Sequence, residues 1–175
     1  MSISINFTPD QRRISDLGDG AEELDDGVME NNVLWLGVSI DVDGIDLLEP
    51  SARPHPDGPV EGEGFSMREV SANGGSASTI QPAIGFVVRM AAALERLVHE
   101  PKVEVMVAWG RDLTLHRVGD EVEIRSTDTG KYGRVGLVEL RTAFSEFRSR
   151  LAEWLSTSVP SLKHHQSWTR WFPSE

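Results

Sequence analysis

The chain contains no cysteine, which excludes disulfide bonds, thiolate nucleophiles, cysteine-ligated zinc and iron–sulfur clusters. It also lacks a long apolar run. The longest such stretch, residues 80–97, is interrupted by Arg89, Glu95 and Arg96 and is not expected to span a membrane. The first residues show no basic start followed by an apolar segment, so we expect no secretory signal and a cytoplasmic location.

Familiar catalytic signatures are missing as well. The sequence has no G-x-S-x-G, H-E-x-x-H, G-x-G-x-x-G or G-x-x-x-x-G-K-[ST] motif, which argues against a familiar hydrolase, metalloprotease, dehydrogenase or kinase. Only His164 and His165 are adjacent among the five histidines, and neighbouring side chains point apart on a helix or a strand. We therefore expect no metal, no cofactor and no enzymatic activity.

Basic residues are scarce in the first part of the chain. The 175 residues include 28 acidic and 17 basic side chains, for a net charge of −11. Residues 1–79 hold 16 acidic and 4 basic side chains, whereas residues 80–175 hold 12 and 13. An acidic field of this size repels nucleic acids and anionic membranes and attracts basic partners. We therefore expect a basic protein partner, with no nucleic acid and no membrane among the ligands.

The clearest local pattern is an alternation over residues 33–42, which predicts a strand. Its apolar face comprises Leu34, Leu36, Val38, Ile40 and Val42. The next dipeptide, Asp43-Gly44, is favoured in two-residue hairpin turns, and residues 45–49 would return antiparallel. Such a turn places Asp41 directly opposite Asp46, with Cβ atoms about 5 Å apart. Like charges in that position destabilise the hairpin by about 0.2–1 kcal/mol.

Two segments have the apolar spacing of amphipathic helices. The first covers residues 80–99, with Pro82 in its first turn; its apolar stripe is Ile80, Ile84, Val87, Val88, Ala91, Leu94 and Val98. The second runs from about residue 138 to 156; its apolar stripe is Leu140, Phe144, Phe147, Leu151, Trp154 and Leu155. On the opposite face of the second helix, Glu146 and Arg150 are spaced for an i,i+4 ion pair.

Further short strands are predicted at residues 2–7, 103–109 and 134–137, and a second hairpin at 113–124 turns at Gly119-Asp120. The order of elements favours an α+β fold, in which two hairpins and short strands form an antiparallel sheet with two helices packed on one face. We expect a single domain over residues 1–175.

The remaining segments are predicted connections. Thr8-Pro9-Asp10-Gln11 resembles a capping box at the start of a helix. Residues 16–32, rich in Asp, Glu and Gly, predict an exposed acidic loop or a frayed helix. Residues 50–79 contain five glycines and four prolines, which predict a long loop, and loops of that length are usually functional or mobile.

The acidic hairpin is the first candidate site, with Asp41, Asp43, Asp46 and Glu49 as its residues. Four interpretations stay open: a solvated acidic face, a surface for an Arg/Lys-rich protein, a divalent-metal site, or a carboxylate pair for acid–base chemistry. The spacing differs from an EF-hand loop, because glycine falls at position 4 and not at position 6. Among the functional interpretations, recognition of a basic partner is favoured.

The aromatic tail, residues 160–175, is the second candidate site. Trp168, Arg170 and Trp171 fall within four residues, and tryptophan and arginine are the usual anchors of protein interfaces. The tail either docks on the protein's own core or forms an exposed anchor for a partner or a second copy of the chain. A secretion or assembly chaperone would use the exposed arrangement.

The second half of the chain carries a resemblance. Its hairpin has Gly119-Asp120-Glu121-Val122 at and after the turn, and the later helix includes Phe144-Ser145-Glu146-Phe147. Residues 103–156 thereby resemble small, uncharacterised α+β proteins of high-GC bacteria, some of which are thought to be immunity proteins of polymorphic-toxin systems. The resemblance implies a small acidic cytoplasmic protein that neutralises a toxin by binding it. The sequence therefore favours an immunity or inhibitor protein, with a chaperone or an enzyme using a carboxylate pair as alternatives.

Overall fold

A computed structural model describes residues 2–48, 79–107 and 112–173. Nearly all of the predicted loop at 50–79, together with Glu49 and Trp109, lies outside these ranges.

The first sheet is built around strand β2 (Trp35–Val42). Strand β1 (Ile3–Thr8) pairs with one edge of β2, while the short strands β3 (Ile45–Asp46) and β4 (Thr79–Pro82) share the other edge; all pairs are antiparallel. The predicted alternation is confirmed, because the buried side chains are Leu34, Leu36, Val38, Ile40 and Val42.

Short helices connect β1 to β2: α1 (Gln11–Ser15), a 3₁₀ turn (Ala21–Glu23) and α2 (Asp26–Asn31). The capping box predicted at Thr8 is wrong, because Asp10 caps α1 by accepting a hydrogen bond from the Arg12 N–H at 2.9 Å. The acidic segment 16–32 contains α2, whose Met29 is fully buried. Leu17 and Ala21 of the same segment are buried as well, so a few apolar anchors order a segment that its polar composition predicts to be exposed.

Helix α3 (Ala83–Arg96) begins later than the sequence predicts. Residues 79–82 form β4, with Ile80 opposite Gly37 of β2, so the helical position predicted for Ile80 is wrong. The buried face of α3 also differs from the predicted apolar stripe, since Val98 of that stripe is 45% exposed. The buried face comprises Ala83, Ile84, Phe86, Val87, Met90, Ala93, Leu94 and the following Leu97.

The second sheet is a four-stranded antiparallel meander in chain order. Its strands are β5 (Lys102–Met106), β6 (Asp112–Val118), β7 (Glu121–Ser126) and β8 (Tyr132–Gly136). The predicted hairpin around Gly119 is confirmed, with Leu115 opposite Ile124.

Helix α4 (Leu137–Ser158) follows β8 directly. Its predicted apolar stripe is buried except for Trp154, which is half-buried. The ion pair predicted between Glu146 and Arg150 does not form. Instead, Arg150 Nη2 donates to the Ile5 carbonyl at 2.6 Å and Nη1 donates to Asn6 Oδ1 at 3.0 Å, which fastens α4 to the edge of β1.

The α+β class is confirmed, and the strands divide into two sheets where the sequence suggested one. The sheets adjoin at Gly133 of β8, where an added Cβ would lie 2.5 Å from Val42 Cγ1. Helix α3 contacts β2 and β5, and α4 contacts β1, β7 and β8, so each helix packs against both sheets.

Candidate protein-binding surface

The acidic hairpin has the geometry that the sequence predicts. Asp43 and Gly44 adopt positive φ values of 51° and 84°, as a type I′ turn requires. Asp41 is paired with Asp46, and the register is fixed by a 2.8 Å bond from the Leu47 N–H to the Ile40 carbonyl. Since the 40/47 pair is hydrogen-bonded, the 41/46 pair is not, and it belongs to the class in which opposed side chains lie closest.

The three aspartates of this hairpin also hold its backbone. Asp41 Oδ1 accepts from the Gly44 N–H at 2.9 Å, and Asp46 Oδ1 accepts from the N–H two residues further on at 2.9 Å. Asp43 Oδ1 accepts from the Ser2 N–H at 2.7 Å and so joins the turn to the start of β1. These bonds keep the carboxylates in fixed positions, because each carboxylate is hydrogen-bonded to a backbone N–H.

The hairpin differs from other acidic residues near it in how its charge is balanced. Arg13 pairs with the two carboxylates that flank α1, Asp10 and Asp16, and Arg170 pairs with two carboxylates of α2, Asp26 and Glu30. Asp41 and Asp43 form no ion pair with any residue that the structure describes. Asp43 is exposed and Asp41 is half-buried. Asp41 and Asp43 therefore carry negative charge that no described residue of the chain neutralises.

The aromatic tail is docked on the protein. Helix α5 (Trp168–Trp171) places Trp171 at 1% exposure, where its Nε1 donates to Glu30 Oε1 at 2.9 Å. Arg170 Nη2 donates to Asp26 Oδ2 at 3.1 Å and also binds Glu30. Trp168 is half-buried and contacts the Phe172 ring in a tilted arrangement, with a centroid separation of 4.7 Å. Trp171 is thus not presented to a partner in this conformation, and Arg170 is engaged with α2.

A buried histidine completes the docking of the tail. His165 Nδ1 accepts from the Ser167 N–H at 3.1 Å, so this nitrogen carries no proton and Nε2 donates to the Leu24 carbonyl at 2.7 Å. The Ser167 hydroxyl in turn donates to Asp26 Oδ1 at 2.7 Å. The imidazole lies against the Trp171 ring with a centroid separation of 4.4 Å.

Asp26 and Glu30 were missed as receptors for the tail, because they fall in the segment predicted to be an acidic loop. A usable signal was present: Asp25 caps α2 by accepting from the Val28 N–H at 3.0 Å, and Asp26 and Glu30 are then spaced i,i+4 on one helix face. The sequence around α2 gives no sign that this face binds Trp171, which lies 141 residues after Glu30.

Among the grooves of the described residues, two open ones are lined by residues away from the hairpin. One, of about 520 Å³, lies between residues 14–22 and 158–161; the other, of about 390 Å³, lies between the end of α3 and Arg141. Within residues 2–48, 79–107 and 112–173, no group of three or more Asp, Glu or His side chains is arranged to hold a metal ion. No helix in these ranges is long and apolar enough to cross a membrane.

Comparison with protein-family models, with curated proteins and with solved structures finds no match to this chain. The functional argument therefore depends on the geometry and charge of the surface itself.

Proposed function

We propose that this protein binds and neutralises a basic protein partner, in the manner of an immunity or inhibitor protein, and that the acidic hairpin is the contact surface. The observation that carries the proposal is the hairpin's charge. Asp41 and Asp43 are fixed by turn hydrogen bonds and have no cationic partner among the described residues. Asp43 is exposed and Asp41 is half-buried, so arginine and lysine side chains of a partner could reach them.

The surrounding charge favours the same kind of partner. Residues 2–48 contain eleven acidic and two basic side chains. A field of one sign steers an oppositely charged protein during encounter, and association then slows steeply as salt increases. Fast capture suits an inhibitor that must bind a toxin before the toxin acts.

The alternatives are less well supported. A chaperone that uses an aromatic surface needs exposed tryptophans, whereas Trp171 is 1% exposed and held by Glu30. An acid–base pair formed by Asp41 and Asp46 needs a cleft that excludes water and receives a substrate. Each of these carboxylates instead accepts a hydrogen bond from a backbone N–H of its own turn, an arrangement that suits a fixed negative charge.

The test is an affinity capture from the source organism's lysate with the wild type and the triple variant Asp41→Asn/Asp43→Asn/Asp46→Asn. Asparagine retains the oxygen that caps the turn, and it tolerates the positive φ at position 43. The matched control is Glu95→Gln/Glu121→Gln/Glu153→Gln, which removes three exposed charges elsewhere on the surface.

The expected result is a basic protein that is retained at low salt by the wild type and by the control, and not by the hairpin variant. The captured protein, purified and titrated calorimetrically, should bind more weakly as salt increases, with a smaller salt dependence for the hairpin variant. Equal binding by all three proteins, or binding that salt does not weaken, would contradict the proposal.

A further inference from the structure

Strand β5 lies at an edge of the second sheet, with no further strand beside it among the described residues. The Arg117 N–H donates to the Pro101 carbonyl at 2.8 Å, which fixes the phase of the β5–β6 ladder. Positions 101, 103 and 105 therefore face β6, and the N–H and C=O groups of Lys102, Glu104 and Met106 point away from it. No backbone group among the described residues bonds to them on that side.

The side chains along this edge leave it accessible. Lys102 and Glu104 are exposed, and Met106 is 56% exposed. Pro101 lacks an N–H, but its position faces β6 and so removes nothing from the open edge. An edge of this kind is able to pair with another extended strand through its backbone.

The order of charges selects the partner strand. A strand that pairs antiparallel with its own copy has a two-fold axis either at a residue or between two residues. Only an axis at a residue places the outward-facing groups of the two copies opposite one another. An axis at Glu104 opposes two glutamates, and an axis at Lys102 opposes two lysines. An axis at Val103 places each Lys102 opposite the Glu104 of the second copy, which gives two pairs of opposite charge.

We propose that two copies of this chain pair antiparallel through β5 about a two-fold axis at Val103, so that the two four-stranded meanders join into one sheet of eight strands. In this register, Lys102 and Glu104 are the outward-facing positions, and each exchanges two backbone hydrogen bonds with its opposite residue. The exposed ion pair between these residues within one chain, at 3.6 Å, is replaced by two pairs between chains.

The arrangement also explains how a lysine at a sheet edge is compatible with pairing. A lysine at a sheet edge usually prevents a second strand from pairing there, because its charge would lie against an apolar surface or against another lysine. Here the acidic residue two positions later compensates it, in the Val103 register and in no other. The edge therefore excludes most extended strands and accepts its own copy.

The test is sedimentation equilibrium of the full chain at low salt over a wide concentration range. The wild type should show a reversible monomer–dimer equilibrium. Lys102→Glu and Glu104→Lys each place like charges opposite one another, so each should weaken dimerisation by about tenfold or more. The control Glu121→Lys changes an exposed charge at the start of β7 and should leave dimerisation unchanged.

Two further measurements make the register falsifiable. The double variant Lys102→Glu/Glu104→Lys should restore the dimer, and so should an equimolar mixture of the two single variants, because opposite charges face one another again in both cases. Amide exchange at Lys102 and Glu104 should slow as protein concentration rises.

A wild type that stays monomeric overturns the proposal. So do single variants that dimerise normally, or a mixture that does not recover. Assemblies that keep growing beyond the dimer also overturn it, since they indicate a head-to-tail contact and not a closed two-fold pair. None of these outcomes depends on binding of a basic partner.

Discussion

Replacement of Trp171 by alanine tests whether the tail is part of the folded core. The side chain is 1% exposed, its indole N–H bonds to Glu30, and its ring lies against His165. Deleting a buried aromatic side chain costs about 3–5 kcal/mol. Glu30 keeps its contact with Arg170, so the variant leaves no unpaired buried charge to add to this cost.

The expected loss is large beside the total stability of a small protein, which is about 5–15 kcal/mol. Trp171→Phe should cost less, about 2 kcal/mol, because the phenyl ring refills most of the space while the hydrogen bond to a carboxylate is lost. Gln166→Ala is the control: Gln166 is exposed in the same tail, and such a substitution changes stability by less than about 0.5 kcal/mol.

The measurement is urea unfolding followed by far-ultraviolet circular dichroism, with the free energy of unfolding extrapolated to water. A loss below about 1 kcal/mol for Trp171→Ala would refute the reasoning, because a side chain that fills a core position cannot be removed so cheaply. That result would mean that the tail is undocked in solution, and it would favour the chaperone interpretation.

Two other substitutions test the sheet contact and the outer sheet face. Gly133→Ala should destabilise the protein by about 1–3 kcal/mol, measured by thermal unfolding, because the new methyl group would lie 2.5 Å from Val42 Cγ1. Hydrogen bonds from Arg125 and Arg134 hold the pKa of Glu123 below its ordinary value of 4.5, so its stabilising effect is present above that pH and is lost as pH falls through the lowered value. Glu123→Gln should therefore be less stable than the wild type at pH 7, and the two should be equally stable at a pH low enough to protonate Glu123 in the wild type; a difference unchanged by pH would contradict this.

The parts of the fold that follow from local chemistry could be predicted. The alternation ending at Val42 and the Asp43-Gly44 turn determine both the buried face and the register, because one face must be apolar and the turn admits two residues. The start of α3 could not be predicted in the same way. Ile80 continues an apolar stripe, and only its pairing with Gly37, far away in the sequence, makes it part of a strand.

The same limit applies to the candidate site. The hairpin carboxylates could be placed from the sequence, since their positions depend on one turn. Whether Trp171 is buried depends on Glu30, to which its indole N–H is hydrogen-bonded. Glu30 lies in α2, and the acidic composition of that segment favoured a loop over a helix. A tail is buried only when it packs against a distant segment of the chain. The sequence pattern of either segment alone therefore does not predict the burial.

The two sheets differ in how far apart in the chain their strands lie, and this predicts the order in which they form. The meander and α4 come from consecutive residues 102–158, whereas the first sheet needs β4 to reach back to β2 and Arg150 to reach an atom 145 residues away. Closing short loops costs less entropy, so the meander with α4 is the expected folding nucleus. Substitution of Ile124 should then slow folding, whereas loss of Trp171 should leave the folding rate nearly unchanged and accelerate unfolding.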